Sequence, residues 1–300
     1  MTRKTIDLAP FRHLYPFQSH FLDIDGLQYH YLDEGNGEAV VMLHGNPTWS
    51  FYFRGMVQAL SPEYRVIVPD HMGCGLSDAP PPHRYGYRLE NRVNDLESLL
   101  ERLAPEGPLT PMVHDWGGMI GLCYALRHPE RIGRLIITNT AAFFPPGDKG
   151  LPLRLRLIRN LAPFAVPAVL GLNLFSRAAL YMAPRRRLSR PVRIGLSAPY
   201  NTPARRMATL KFVQDIPLAP GDPSYPLVRH VADHLDRLSR LPMLILWGLG
   251  DFVFDRDYLA EWQRRFPQAA AHVFSDAGHY LFEDKCDTIA LIVKEFLKNH

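Results

Sequence analysis

The stretch Val113-His114-Asp115-Trp116-Gly117-Gly118 joins two apolar segments of this 300-residue chain. The short run Leu109 to Val113 predicts a buried strand, and Met119 to Leu126 carries apolar residues at helical spacing. Gly117 and Gly118 fit a helix that starts in close contact with a neighbouring strand, where a Cβ would clash. The stretch therefore predicts a strand, a tight turn with an acidic residue at its centre, and a helix.

This arrangement is typical of the nucleophile elbow of the α/β-hydrolase fold, in which a strained turn raises one side chain above the sheet edge. The nucleophile here would be the carboxylate of Asp115. A serine must lose its proton and attacks acyl carbon, whereas Asp115 is already ionised at neutral pH and suits displacement at saturated carbon. An aspartate after a strand is also a common helix N-cap, so the elbow alone leaves that structural role open.

Length and composition predict one large globular domain with room for an inserted subdomain. The chain is 47% hydrophobic and has a formal net charge of +4, with the positive excess largely between Arg154 and Arg206. A charge this small, without a nucleic-acid-binding motif, predicts no nucleic-acid partner. The three widely spaced cysteines, Cys74, Cys123 and Cys286, fit neither a disulfide framework nor a zinc site and favour a reducing cytoplasm. Neither a metal nor a cofactor is predicted.

The sequence predicts neither a signal peptide nor a transmembrane segment. Residues Met1 to Asp7 have no apolar stretch behind their charges. The most apolar window, Leu161 to Met182, is interrupted by Pro163, Pro167 and Arg177, which argues against a spanning helix.

Strands and helices alternate along most of the chain. Phe21 to Leu32 alternates around Asp25-Gly26 and predicts a hairpin. Apolar runs predict further buried strands at Ala39 to Leu43, Tyr64 to Pro69, Arg134 to Thr138 and Pro242 to Trp247. Such alternation predicts the α/β class, with a mostly parallel sheet covered by helices on both faces.

The alternation stops after Asn139. The segment that follows is rich in proline, arginine and leucine, and its helix candidates are short. We interpret it as a helical cap inserted over the carboxyl edge of the sheet. The predicted organisation is a first core part at 1–143, the cap at 144–230 and a second core part at 231–300.

One stretch of the predicted cap, Leu151 to Arg159, combines an apolar face with basic residues. It fits the wall of an apolar tunnel, a surface that rests on a membrane, or a docking face for a protein partner. We favour the tunnel for the apolar positions. The run Arg185 to Arg187 is interpreted as a solvated cluster of charges.

The loop His44-Gly45-Asn46-Pro47 follows a buried strand, at the edge where α/β sheets place their ligands. In the α/β-hydrolase fold this loop supplies one backbone N–H of the oxyanion hole, and the residue after the nucleophile, here Trp116, supplies the other. Glycine, asparagine and proline also form ordinary turns. Its position after a strand, with the elbow downstream, favours the oxyanion-hole interpretation.

Two residues complete an Asp–Asp–His triad. Asp251 follows a late strand, the expected position of the acid, and His279 stands in a glycine turn, the expected position of the base. Asp255 and Asp276 are rivals of Asp251. They are more simply interpreted as a helix cap and a turn former.

The quoted loop and elbow resemble the haloalkane dehalogenase branch of the α/β-hydrolases. The resemblance implies that Asn46 and Trp116 hold the departing halide. Epoxide hydrolases usually have an aromatic residue where Asn46 stands and a glycine where Val113 stands. They also need two cap tyrosines, for which the candidates are Tyr181, Tyr200 and Tyr225.

A resemblance over nearly the whole chain is to the β-lactone decarboxylases of bacterial long-chain olefin biosynthesis. The stretches that carry it include several in the cap and are 113–121, 139–143, 199–201, 212–218, 247–255 and 276–280. It implies conversion of a cis-3,4-dialkyl β-lactone into a cis-alkene and carbon dioxide, and association with other enzymes of that pathway in a large assembly. The alternative is a haloalkane dehalogenase.

Both activities would use Asp115 as nucleophile and Asn46 and Trp116 to stabilise a leaving anion. With a lactone, Asp115 attacks the ring carbon that bears the alkyl chain and oxygen, although attack at the carbonyl is an open alternative. His279 would activate water in a dehalogenase. In a decarboxylase it would orient or electrostatically support Asp115.

Overall fold

The fold is built on one sheet, described in a computed structural model that covers residues 6–147 and 149–300. Met1 to Thr5, which contribute to the signal-peptide expectation, lie outside the described residues. The described part of the chain forms eight strands in the order β1-β2-β4-β3-β5-β6-β7-β8. Their bounds are β1 His20–Ile24, β2 Leu27–Glu34, β3 Ala39–Leu43, β4 Arg65–Pro69, β5 Thr110–Asp115, β6 Leu135–Thr140, β7 Met243–Gly248 and β8 Ala270–Phe274.

The sheet is mostly parallel, as predicted. Strands β1 and β2 form the expected antiparallel hairpin, in which Ile24 pairs with Leu27. Strand β2 is antiparallel to β4, and every later pairing, from β3–β4 to β7–β8, is parallel. The carboxyl ends of β3, β5, β6 and β7 therefore meet at one edge of the sheet.

Helices cover both faces of this sheet. Their bounds are α1 Arg54–Leu60, α2 Leu89–Leu103, α3 Trp116–Arg127, α4 Leu153–Asn160, α5 Ala162–Ala165, α6 Leu174–Met182, α7 Arg190–Ser197, α8 Met207–Gln214, α9 Tyr225–His234, α10 Arg256–Arg265 and α11 Leu281–Asn299. A π-helical turn, Val166–Gly171, lies between α5 and α6.

The core has two layers because strand side chains alternate between the faces. In β3, Val41 and Leu43 join the cluster formed with α2, α3 and α10, whereas Val40 and Met42 join the cluster formed with α1 and α11. All five residues of β3 are buried. A strand covered on both faces must be apolar throughout, which explains the continuous apolar runs in the sequence.

Helices α4 to α9 lie between β6 and β7, the segment in which the strand pattern stops. Helix α9 continues past residue 230 to His234, and its Val228 and Val231 pack into the core. In the described residues, no single helix is both long and apolar enough to cross a membrane. Ala162–Gly171 and Leu174–Met182 satisfy length and composition only as a pair, bent by 72°.

Candidate active site

The turn predicted at Asp115 is present, with β5 ending at Asp115 and α3 starting at the next residue. Asp115 has φ 51° and ψ −126°, a conformation that costs an L-residue about 1–3 kcal/mol and needs support from its surroundings. A Cβ on Gly117 would strike the carbonyl oxygen of Leu43, and one on Gly118 would strike Thr140 Oγ1. The predicted close approach of the helix start to the sheet is confirmed.

The Asp115 carboxylate lies buried at the carboxyl edge of the sheet. Its Oδ1 accepts a hydrogen bond from the Asn46 backbone N–H at 2.8 Å, and the Trp116 backbone N–H also donates to the carboxylate. A Cβ at Gly45 would strike Oδ1, so only glycine leaves room for the carboxylate there. Burial raises the pKa of Asp115, and the positive charge of His279 and these two N–H groups partly oppose that rise.

His279 lies between two carboxylates. Its Nε2 is 3.6 Å from Asp115 Oδ2, and its Nδ1 is 2.8 Å from Asp251 Oδ2. Burial lowers the pKa of His279, but the charge and hydrogen bond of Asp251, followed by the charge of Asp115, outweigh it, so the net pKa is raised. The geometry favours an imidazolium held by both neighbours. The structure thus brings together Asp115, Asp251 and His279.

The two rivals of Asp251 do not reach His279. Asp255 caps α10 through a hydrogen bond from the Asp257 backbone N–H at 3.0 Å. Asp276 lies in the turn that follows β8, where it is exposed and pairs with Lys285 at 2.5 Å. Both have the structural roles predicted for them.

Asn139 is a positioning residue that the sequence analysis did not identify. Its Nδ2 donates to Gly248 O at 3.1 Å and to Asp251 Oδ2 at 3.0 Å, and its Oδ1 accepts from Gly248 N at 2.8 Å. Asp251 Oδ1 accepts hydrogen bonds from the backbone N–H groups of Val253 and Phe254. The side chain at the end of β6 thus fixes both the end of β7 and the acid that follows it.

The turn that carries His279 is held by another residue that the sequence analysis did not identify. Buried Asp284 accepts hydrogen bonds from the backbone N–H groups of Gly278, Arg185 and Arg186 at 2.9–3.0 Å. One carboxylate therefore ties the His279 turn to the chain that leaves α6.

His114 packs its ring 4.8 Å from the ring of His279. Burial lowers the pKa of His114 well below the usual range.

Asn46 and Trp116 both face the cavity above Asp115. The Asn46 side chain donates one hydrogen bond from Nδ2 to Thr209 O of α8 at 3.0 Å. The Trp116 ring packs 5.3 Å from the ring of Phe212 on α8. The buried guanidinium of Arg92 lies 3.5 Å from the centre of the same Phe212 ring. Both predicted leaving-group residues are therefore anchored to α8.

The cavity above Asp115 has a volume of about 170 Å³ and mostly apolar walls. Core residues such as Phe252 and residues of the predicted cap both line it, the latter including Leu151, Pro152, Leu155, Phe175 and Val213. The tunnel wall predicted for the apolar positions of the stretch from 151 to 159 is present at Leu151, Pro152 and Leu155, whereas the prediction is wrong for Leu153, which is exposed to solvent.

The tyrosines considered for an epoxide hydrolase do not line this cavity. Tyr200 is fully buried and donates to Thr48 O at 2.9 Å. Tyr181 is exposed, and Tyr225 packs against Phe144.

No arrangement of the described His, Cys, Asp and Glu residues could hold a metal ion. Burial raises the pKa of Cys74 to about 12, so its thiol is protonated at neutral pH.

Comparisons with known proteins agree with the fold. A family model described as the alpha/beta hydrolase fold matches residues 38–285. The chain is 50% identical to the cis-3-alkyl-4-alkyloxetan-2-one decarboxylase of Shewanella oneidensis, over 95% of this chain and 89% of that protein. It is 43% identical to the cis-3-alkyl-4-alkyloxetan-2-one decarboxylase of Xanthomonas campestris pv. campestris, over 95% and 98%. A haloalkane dehalogenase structure from Agrobacterium tumefaciens has a TM-score of 0.83 at 23% identity, covering 94% of this chain and 96% of that chain, and shares the fold.

Proposed function

The chain belongs to the alpha/beta hydrolase family, and we propose that it is a decarboxylase of cis-3-alkyl-4-alkyloxetan-2-ones, β-lactones that carry two alkyl chains. It is a lyase that converts the lactone into a cis-alkene and carbon dioxide. The observation that best supports this chemistry is a buried carboxylate, Asp115, that faces an apolar cavity beside the imidazole of His279. The resemblance to β-lactone decarboxylases is confirmed by the two relatives named above.

In the first step, an Asp115 carboxylate oxygen attacks the ring carbon that bears the ring oxygen. A carbon–oxygen ester bond to Asp115 forms, the ring carbon–oxygen bond breaks, and its electron pair stays on the lactone's own carboxylate. This new carboxylate lies where the side chains of Asn46 and Trp116 line the cavity, and their N–H groups stabilise it. Backside attack inverts the carbon and leaves the ester anti to the carboxylate.

In the second step, the carboxylate leaves as carbon dioxide. The electrons of the broken carbon–carbon bond form the alkene, and the bond to Asp115 breaks to restore the free carboxylate. Inversion followed by anti elimination keeps the two alkyl chains on the same side, so a cis lactone gives a cis alkene. The cycle consumes no water and needs no net proton transfer.

His279 supports this cycle as a positive charge rather than as a base. Asp251 fixes its orientation through Nδ1, and Nε2 faces the carboxylate that must be ionised at the start and end of each turnover. A dehalogenase would instead need neutral His279 to take a proton from water. The charges of Asp251 and Asp115 raise the pKa of His279 and so favour its charged form.

The predicted cap and the surroundings of the enzyme belong to the same proposal. The segment 144–230 would act as a cap whose apolar side chains hold the alkyl chains. The free thiols of Cys74, Cys123 and Cys286 support a reducing cytoplasm. Following the family resemblance, we infer that other enzymes of long-chain olefin biosynthesis assemble with this one, and co-purification from cells that express them tests this.

The test of the proposed activity is a product assay on purified protein. A cis-dialkyl β-lactone and a long 1-haloalkane are supplied in parallel, and alkene and halide are measured. We expect cis-alkene from the lactone, slow halide release at most, and no alkene from Asp115→Ala. Asp276→Asn, a change at the exposed rival carboxylate, serves as the control and should react like the parent protein. Fast halide release without alkene would make the protein a dehalogenase.

A further inference from the structure

The charge of this chain is divided sharply between two parts. From Lys149 to Gln214 the sequence contains thirteen lysines and arginines and neither aspartate nor glutamate. The rest of the chain holds the other 21 of the 34 basic residues and all 30 acidic residues. A segment this basic, on a chain that is otherwise net acidic, favours contact with an anionic partner.

The first helices of this segment form a layer with an inner and an outer side. Ile158, Val169 and Phe175 face inward and pack with Leu210 of α8. The opposite side is left uncovered: Leu153 is 70% exposed, Leu172 62% and Tyr181 68%. We call this side, which also includes Leu161, Phe164, Leu174 and Met182, the outer cap face.

Arginines lie among these exposed apolar residues. Arg154 and Arg156 on α4 and Arg177 on α6 are exposed and form no ion pair with a described carboxylate. Arg154 Nη1 lies 3.2 Å from Met182 Sδ, so α4 and the end of α6 belong to one continuous surface. Exposed apolar side chains with unpaired arginines beside them are the composition of a surface that lies at a lipid interface.

The outer cap face is also continuous with the cavity above Asp115. Pro152 and Leu155 line the cavity and flank the exposed Leu153, and Phe175 lines it beside the exposed Leu174. The same short helices therefore present one side to the reacting centre and the other to the exterior.

We propose that the outer cap face binds an anionic lipid surface. The apolar side chains enter the interface and the arginines contact lipid headgroup charges. This inference rests on the proposed function in one respect: a lactone with two long alkyl chains partitions into lipid, so a cap on the bilayer shortens its path to Asp115. A lipid interface meets both features of this face at once, because it offers an apolar interior to the exposed leucine and phenylalanine side chains and anionic headgroups to the arginines.

Vesicle sedimentation tests the proposal without substrate. Purified protein is mixed with phosphatidylcholine vesicles, with or without added phosphatidylglycerol. We expect binding to the anionic vesicles that weakens in about 1 M salt, where the screening length falls to ~3 Å. The combined change Arg154→Gln, Arg156→Gln and Arg177→Gln should weaken binding about a hundredfold, because each basic residue near such a surface contributes about fivefold.

Matched variants separate position from composition. The charge control is Arg237→Gln, Arg240→Gln and Lys298→Gln, three exposed basic residues outside the segment from 149 to 214, and it should bind like the parent. Leu153→Ser should weaken binding, whereas Leu291→Ser should not, because Leu291 is equally exposed at 71% but lies on α11.

Three results would overturn the proposal. The first is equal binding of the parent protein to neutral and anionic vesicles. The second is an equal loss of binding in the triple arginine variant and in its charge control. The third is a protein that does not bind vesicles but self-associates, with Leu153→Ser abolishing the self-association. Alkene formation from a short, water-soluble lactone is measured separately without vesicles. Alkene without vesicle binding refutes this inference alone, and vesicle binding without alkene refutes the proposed function alone.

Discussion

Replacement of Asn139 by alanine tests whether the site depends on the contacts that fix its acid. The amide makes three hydrogen bonds, two with the backbone of Gly248 and one with Asp251 Oδ2. Asn139 does not line the cavity, so the variant leaves the contacts with substrate in place. Its effect must reach the reaction through Asp251 and His279.

The structure sets the size of two effects. Alanine leaves the buried N–H of Gly248 without a partner, at about 1–3 kcal/mol, whereas the Gly248 carbonyl still accepts from Asp251 N. Alanine must also adopt φ 32°, which costs about 1–2 kcal/mol more. With partial relaxation we expect a loss of about 2–4 kcal/mol in the free energy of unfolding. Asp251 also loses one hydrogen bond to a charged group, worth about 1.5–3 kcal/mol, so kcat should fall roughly 10- to 100-fold.

The assay combines urea unfolding with steady-state alkene formation by the folded protein. We expect kcat to fall while KM stays near the parent value. Asn173→Ala is the matched control, because Asn173 also has a positive φ, 55°, and donates a single bond to Tyr200 O outside the site. It should lose stability and retain kcat. An Asn139→Ala protein with the parent's kcat would refute the positioning role.

Three further changes test other parts of the account. Asn46→Ala should lower turnover about 10- to 100-fold, because a hydrogen bond to the leaving carboxylate is lost; unchanged turnover would reduce Asn46 to a turn residue. Because burial raises the pKa of Asp115, kcat/KM should already fall with decreasing pH above about pH 4, the usual pKa of an aspartate. A kcat/KM that stays constant down to that pH in folded protein would contradict this. Burial also raises the pKa of Asp95 to about 6, so ionisation above that pH costs stability; Asp95→Asn should gain up to about 3 kcal/mol in urea unfolding at pH 8 and little at pH 4.

The sequence was sufficient to predict the sheet and the side chains that meet at its carboxyl edge. Apolar runs identify buried strands, and parallel strands align their carboxyl ends, so residues far apart in sequence fall together. Asp115 and Asp251 were found in this way, and His279 was found from its glycine turn and its place in the order of the triad. Strand ends were less accurate: the run from 109 to 113 ends in an apolar residue, but β5 continues to Asp115 because its pairing with β6 shifts register there and continues to Thr140.

The side-chain contacts across the sheet could not be predicted. Asn139 and Gly248 are 109 residues apart, and only the strand order makes β6 and β7 neighbours. The position of Asn139 near the end of a predicted strand, at the carboxyl edge of the sheet, was the one available signal in the sequence. The contact of Asn46 with Thr209 depends on the position of α8 over the sheet. No periodic pattern of residues in the sequence indicates that position.

The central claim is that Asp115 attacks the ring carbon and that the lactone's own carboxylate leaves. A cis lactone labelled with ¹⁸O in the ring oxygen tests it, with mass spectrometry of the released carbon dioxide and of the peptide that contains Asp115. Ring-carbon attack keeps the ring oxygen on the leaving carboxylate, so the label should appear in carbon dioxide and Asp115 should stay unlabelled. Attack at the carbonyl, followed by acyl transfer to the freed alkoxide, would move the label into Asp115. Label in the Asp115 side chain would therefore contradict the account.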